Sequence, residues 1–85
     1  MDLEKKRGLV TMENKKLIKK LKKEQAKLDK KLLKLIFFIM DQKDGQTISD
    51  SQLNLLNAQS DAMSKYSDIL GMRISDLEEH HESNR

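Results

Sequence analysis

The sequence predicts an all-α fold: a two-helix antiparallel hairpin, about 13–40 and 50–79, that assembles into a homo-oligomeric helical bundle. Three observations predict it. The 85 residues contain no proline and three glycines, so little interrupts a helix. Apolar residues recur at helical spacing in both halves of the chain. Between the halves stands one strong turn signal, Asp44-Gly45. The oligomer follows from a shortage of core. Tyr66, Phe37 and Phe38 are the only aromatics and 36% of residues are charged. Two helices with so few large apolar side chains need helices from another copy to offset the entropy of ordering the chain.

The elements follow in order. Residues 1–11 are charged, contain Gly8 and lack a period, and read as a frayed or disordered basic leader. Residues 12–80 form the hairpin domain, and 81–85 a polar tail. In the first helix, Leu17, Leu21, Leu28, Leu32, Leu35 and Ile39 step by 4, 7, 4, 3 and 4 along one face. Lysines fill the other faces. Towards its end Leu33, Ile36, Phe37, Phe38 and Met40 make this helix apolar on several sides. That composition predicts burial all round, with several helices converging there. The second helix opens with a complete start signal. Ser49 is the N-cap and Gln52 closes a capping box, while Ile48 and Leu53 are spaced as a hydrophobic staple. Asp50 suits the positive end of the helix dipole. Leu56, Met63, Leu70 and Leu77 then repeat every seven residues, with Ile74 beside them. The expected oligomer core is Leu28, Leu32, Leu35, Phe38, Ile39, Leu56, Met63, Leu70, Ile74 and Leu77. Gly71 lies inside this helix at a cost of about 1 kcal/mol, which suggests a close approach there.

Charge separates the two halves. Residues 1–40 hold thirteen Lys/Arg and five Asp/Glu, a balance of +8, whereas residues 41–85 hold four and nine, a balance of −5. Pairing the basic helix with the acidic one neutralises both and outweighs nucleic-acid binding, which also lacks interleaved aromatics. Leu32–Met40, the longest apolar run, is too short to span a bilayer and includes Lys34. With no tryptophan, no cysteine and no secretory signal, the chain is expected in the cytoplasm, away from membranes.

No catalytic constellation stands out, so a non-enzyme is expected, without cofactor. The loop at Asp44–Leu53 echoes a calcium loop but misplaces Ile48 relative to Gly45 and puts Gln52 where the bidentate glutamate belongs. His80 and His81 are adjacent, point about 100° apart on a helix and cannot chelate one ion within a chain. No metal site is expected. A second seven-residue row, Gln52, Gln59, Tyr66, Arg73 and His80, runs beside the apolar seam. Tyrosine stacks and donates a hydrogen bond, and arginine forks onto phosphate. The plainer reading is a boundary row whose apolar parts cover the core edge.

The residues Leu35-Ile-Phe-Phe38-Ile39, followed after the loop by Ser49-x-x-Gln52-x-x-Leu55-Leu56-x-x-Gln59-x-x-Ala62-Met63-x-x-Tyr66-x-x-Ile69-Leu70-x-x-Arg73-Ile74, resemble a family of small tailed-phage accessory proteins. The resemblance covers about 24–77 and is most specific from Gln59 to Ile74. It departs at the loop, where members usually carry a phenylalanine and Thr47 or Ile48 stands instead. It implies a helical hairpin encoded by a phage or prophage and acting in the bacterial cytosol. Phage proteins of similar size and architecture include counter-defence sponges, homo-oligomers that sequester nucleotide immune messengers. By that analogy the ligand is a cyclic nucleotide or a cyclic ADP-ribose-type messenger. Gln59, Met63, Tyr66 and Arg73 are then the ligand-binding residues: Tyr66 stacks a base, Arg73 holds phosphate and Gln59 reads a base edge. Two alternatives stand beside it, a module that binds a host or phage protein and a non-specific nucleic-acid-binding helical dimer.

Overall fold

The computed structural model describes residues 2–83. It consists of two α-helices, α1 (Asp2–Asp44) and α2 (Asp50–Ser83), folded against each other within one chain as an antiparallel hairpin measuring 65 × 17 × 16 Å. The helices outrun the apolar patterns that predicted them. α1 begins well before Glu13 and covers residues 2–11, the expected leader, while α2 passes Glu79. Asn84 and Arg85, the end of the expected tail, lie outside the described residues. So do the side chains of residues 2–13 and 80–83, including His80 and His81.

Both helices present a ladder stepping alternately by three and four residues. On α1 it is Ile18, Leu21, Gln25, Leu28, Leu32, Leu35, Ile39 and Gln42, and each of these is buried or half-buried. On α2 it is Leu53, Leu56, Ser60, Met63, Ser67, Leu70, Ile74 and Leu77, again all buried or half-buried. This alternation has a period of about 3.5 residues, the spacing that keeps two helices in contact along a shared seam. The tightest core lies far from the loop, where Leu21, Leu70 and Ile74 are buried and Leu17, Ile18, Leu28 and Leu77 pack around them.

The loop is clamped by one side chain. Gln42 is buried, and its Oε1 accepts hydrogen bonds from the backbone N–H groups of Thr47 at 2.8 Å and Ile48 at 3.3 Å. Its Nε2 donates to Thr47 Oγ1 at 3.0 Å. Gln42 thus satisfies two loop donors while leaving neither end of its own amide without a partner. Gly45 continues the end of α1, its N–H donating to the Asp41 carbonyl at 3.2 Å, and no described residue has a positive φ. The turn is therefore made without a left-handed residue. The N-cap forms as expected: Ser49 Oγ accepts from the Gln52 N–H at 3.1 Å. Gln46 Nε2 adds bonds to Asp50 Oδ1 at 2.7 Å and to the Ile48 carbonyl at 2.8 Å.

Within the single hairpin the apolar end of α1, where several helices of an assembly are expected to converge, is covered on one side. Ile39 is buried, but Leu33, Ile36, Phe37, Phe38 and Met40 remain exposed in the hairpin, Phe37 by 55%. One neighbouring helix covers one face of α1, and the remaining apolar faces meet solvent.

Candidate functional site

The helical repeat places Gln52, Gln59, Tyr66 and Arg73 along one flank of α2, beside the buried ladder, and all four are exposed. Met63 is half-buried in the ladder between them. Tyr66 reaches across to α1, where its hydroxyl donates to a carboxylate oxygen of Glu24. The phenol is anchored at its tip while the side chain stays 43% exposed. A ring held in this way presents a fixed face and loses little entropy on stacking. Gln59 turns its amide back along α2, with Nε2 lying 3.9 Å from Met63 Sδ. Arg73 makes no hydrogen bond or ion pair among the described residues, so its guanidinium is available to an anion. On α1, Lys31 is exposed and stands seven residues after Glu24, which keeps it on the same flank.

The site thus extends beyond the residues that the sequence singles out. Glu24 was not legible as a partner of Tyr66, because an isolated glutamate in a lysine-rich helix carries no mark of what faces it. The cross-helix register supplies that information. The same holds for a polar cluster one step deeper. Gln25 Nε2 donates to the Ser67 carbonyl at 3.0 Å, and Ser67 Oγ donates to Asp29 Oδ1 at 2.6 Å. Gly71 makes room for this contact, since a Cβ built there would lie 3.1 Å from Gln25 Nε2. The close approach expected at Gly71 is that of a glutamine side chain to the α2 backbone. Lys22 and Glu78 add an exposed ion pair at 3.1 Å.

Distances along the helix decide what one chain can hold. At 1.5 Å per residue, Tyr66 and Arg73 are separated by about 10 Å and Gln59 and Arg73 by about 21 Å. Neighbouring members of the row suit one nucleotide, and the whole row exceeds one. A separate open hollow of about 610 Å³ is lined by Gln25, Ser67, Asp68, Gly71, Met72, Ser75, Asp76 and Glu79. Its three carboxylates oppose a phosphate, and it contains none of Gln59, Met63, Tyr66 or Arg73. Among the described residues no group of three His, Asp or Glu side chains is placed to hold a metal ion, and no helix is long and apolar enough to cross a membrane.

Comparison with known proteins gives one match. A family model described as Sequestin matches residues 15–76, which takes in the loop, all of both ladders but Leu77, and Gln59, Met63, Tyr66 and Arg73. No curated protein and no solved structure matches the chain.

Proposed function

The chain belongs to the Sequestin family, whose name denotes anti-defence proteins that sequester messengers, and from that premise we propose that it is a phage counter-defence sponge for a nucleotide immune messenger. It acts by capture, without chemistry on the ligand. The oligomeric bundle expected from the sparse core belongs to this reading, and the bacterial cytosol is where such a messenger is met.

The observation that carries the reading is the Tyr66 flank. An aromatic ring is fixed from behind by Glu24, and an unpaired Arg73 stands two turns away. A base stacks on the ring. The Glu24 carboxylate accepts hydrogen bonds from a ribose hydroxyl or an exocyclic amine and repels phosphate, so the phosphate lies towards Arg73 and Lys31. Gln59 offers a donor and an acceptor to a base edge.

Titration calorimetry against cyclic nucleotides and cyclic ADP-ribose isomers tests this. Tight binding of at least one is expected. Arg73→Ala should weaken it by roughly 10- to 100-fold, matching about 1.5–3 kcal/mol for a charge-assisted hydrogen bond. Absence of heat with every compound removes the reading. The apolar surface of Leu33, Phe37, Phe38 and Met40 supports a second reading, in which the chain docks a host or phage protein. A pull-down from host lysate that fails in a Phe37→Asp variant, with no nucleotide bound, would favour it.

A further inference from the structure

We infer that α1 carries a second binding site, separate from the Tyr66 flank, where a ladder of six lysines takes the sugar–phosphate backbone of an unpaired nucleic-acid strand. The inference stands on α1 and goes beyond the messenger reading.

Lys16, Lys20, Lys23, Lys27, Lys30 and Lys34 step by 4, 3, 4, 3 and 4, the spacing of the buried seam, and all six are exposed. Lys20, Lys27 and Lys34 each directly precede a seam leucine, Leu21, Leu28 and Leu35. The ladder therefore runs parallel to the seam and about 100° round the helix from it. At 1.5 Å per residue it is about 27 Å long, with a lysine about every 5 Å. The next rung is Phe37, which is also exposed.

Folding leaves this charge in place. Of the ten lysines from Lys15 to Lys34, Lys22 is the one with an ion pair among the described residues, and it lies off the ladder. The two carboxylates of this segment are engaged with α2: Glu24 accepts from Tyr66 and Asp29 from Ser67. The neutralisation expected from pairing a basic helix with an acidic one does not reach the ladder. A row of like charges repels itself, and a polyanion relieves that repulsion while releasing its own counterions.

Length and line choose the ligand. A mono- or dinucleotide meets one or two rungs, so messenger capture does not account for six lysines. A duplex strand completes a turn in about 34 Å and so leaves a straight line of about 27 Å. An unpaired strand can follow that line phosphate by phosphate, with a base stacked on Phe37 at its end. Leu33, Ile36 and Met40 lie about 100° or more round α1 from Lys34. Apolar and cationic side chains thus do not share the single face that a lipid surface needs.

Fluorescence anisotropy with labelled oligothymidine, oligouridine and a duplex tests this. Uptake of either strand is expected, the tighter one naming the sugar, and the duplex should bind more weakly. Log affinity should fall with log salt at a slope of about −4, from six phosphates at about 0.7 each. Lys20→Gln, Lys27→Gln and Lys34→Gln together should weaken binding by about tenfold or more and bring the slope to about −2. Lys15→Gln, Lys22→Gln and Lys43→Gln remove the same charge off the ladder and should cost less than about threefold. Phe37→Ala should weaken binding by about fivefold or more with the slope unchanged. Arg73→Ala should leave strand binding as it was, so this inference and the messenger reading can fail separately. Failure to take up either strand at low salt, a duplex bound as tightly as a strand, or equal loss in the two triple variants overturns the inference. So does preference for phosphatidylglycerol vesicles over both strands.

Discussion

At the open end of the hairpin, Leu21, Leu70 and Ile74 are buried together, and Tyr66–Glu24, Gln25–Ser67, Ser67–Asp29 and Lys22–Glu78 tie the helices across their edges. At the loop end, Ile39 and Gln42 are the buried side chains, while Leu33, Ile36, Phe37, Phe38, Met40 and Leu55 face solvent. The two ends face different physical problems. Helices joined by a short loop cannot drift apart beside it, so the loop end needs little mutual burial and has apolar surface to spare. The open end has no covalent tie and concentrates its burial and polar links within the pair. One end holds the hairpin closed, and the other carries most of the exposed large apolar side chains, Ile69 and Met72 being the exposed aliphatic ones in the open half.

The largest test of this contrast is a pair of leucines. Leu70→Ala should lower stability by about 2–5 kcal/mol, because a fully buried side chain leaves a cavity. Leu55→Ala should change the isolated hairpin by less than about 0.5 kcal/mol. Thermal denaturation followed by circular dichroism reads both. If Leu55→Ala proves costly and its effect depends on protein concentration, the loop half is covered in solution and the contrast becomes one between intrachain and interchain cores.

Gln42→Ala should cost less, about 1–3 kcal/mol, by leaving the Thr47 and Ile48 N–H groups without their acceptor. Hydrogen exchange at those two amides should quicken while exchange at Leu70 holds. Equal quickening at both ends would show that the halves open as one unit. The smallest effect is expected at Gly71. Alanine there gains about 1 kcal/mol of helix propensity but displaces the Gln25 amide, whose bond contributes about 0.5–1.5 kcal/mol. The substitution should be near neutral alone and stabilising by about 1 kcal/mol when Gln25 is already alanine.

Much of the fold was written in local patterns. Leu56, Met63, Leu70 and Leu77 mark their own helix face, and Ser49 with Gln52 marks a helix start, since both signals depend on residues within a turn or two of each other. The polar steps of the two ladders were not legible. Gln25, Gln42, Ser60 and Ser67 interrupt the apolar pattern, and only the facing helix explains why a polar residue is held there. The cover of Phe37 and Phe38 was not legible for a related reason: an apolar side chain asks for cover without stating whether its own chain or another supplies it, and within one chain both stay exposed. The candidate row Gln59, Tyr66 and Arg73 was legible as a flank. Its anchor, Glu24, lies 42 positions from Tyr66 and required the register of the folded pair.

The hydrogen bond from Tyr66 to Glu24 also has an optical consequence. The chain has one tyrosine and no tryptophan, so its near-ultraviolet absorption and intrinsic emission come chiefly from this phenol. A carboxylate acceptor quenches phenol fluorescence. Separation of the two helices therefore brightens the molecule, whereas a base laid on the ring dims and shifts it. The side chain at the centre of the candidate site is the chain's own lamp, and it reports closure of the hairpin and arrival of a ligand as signals of opposite sign.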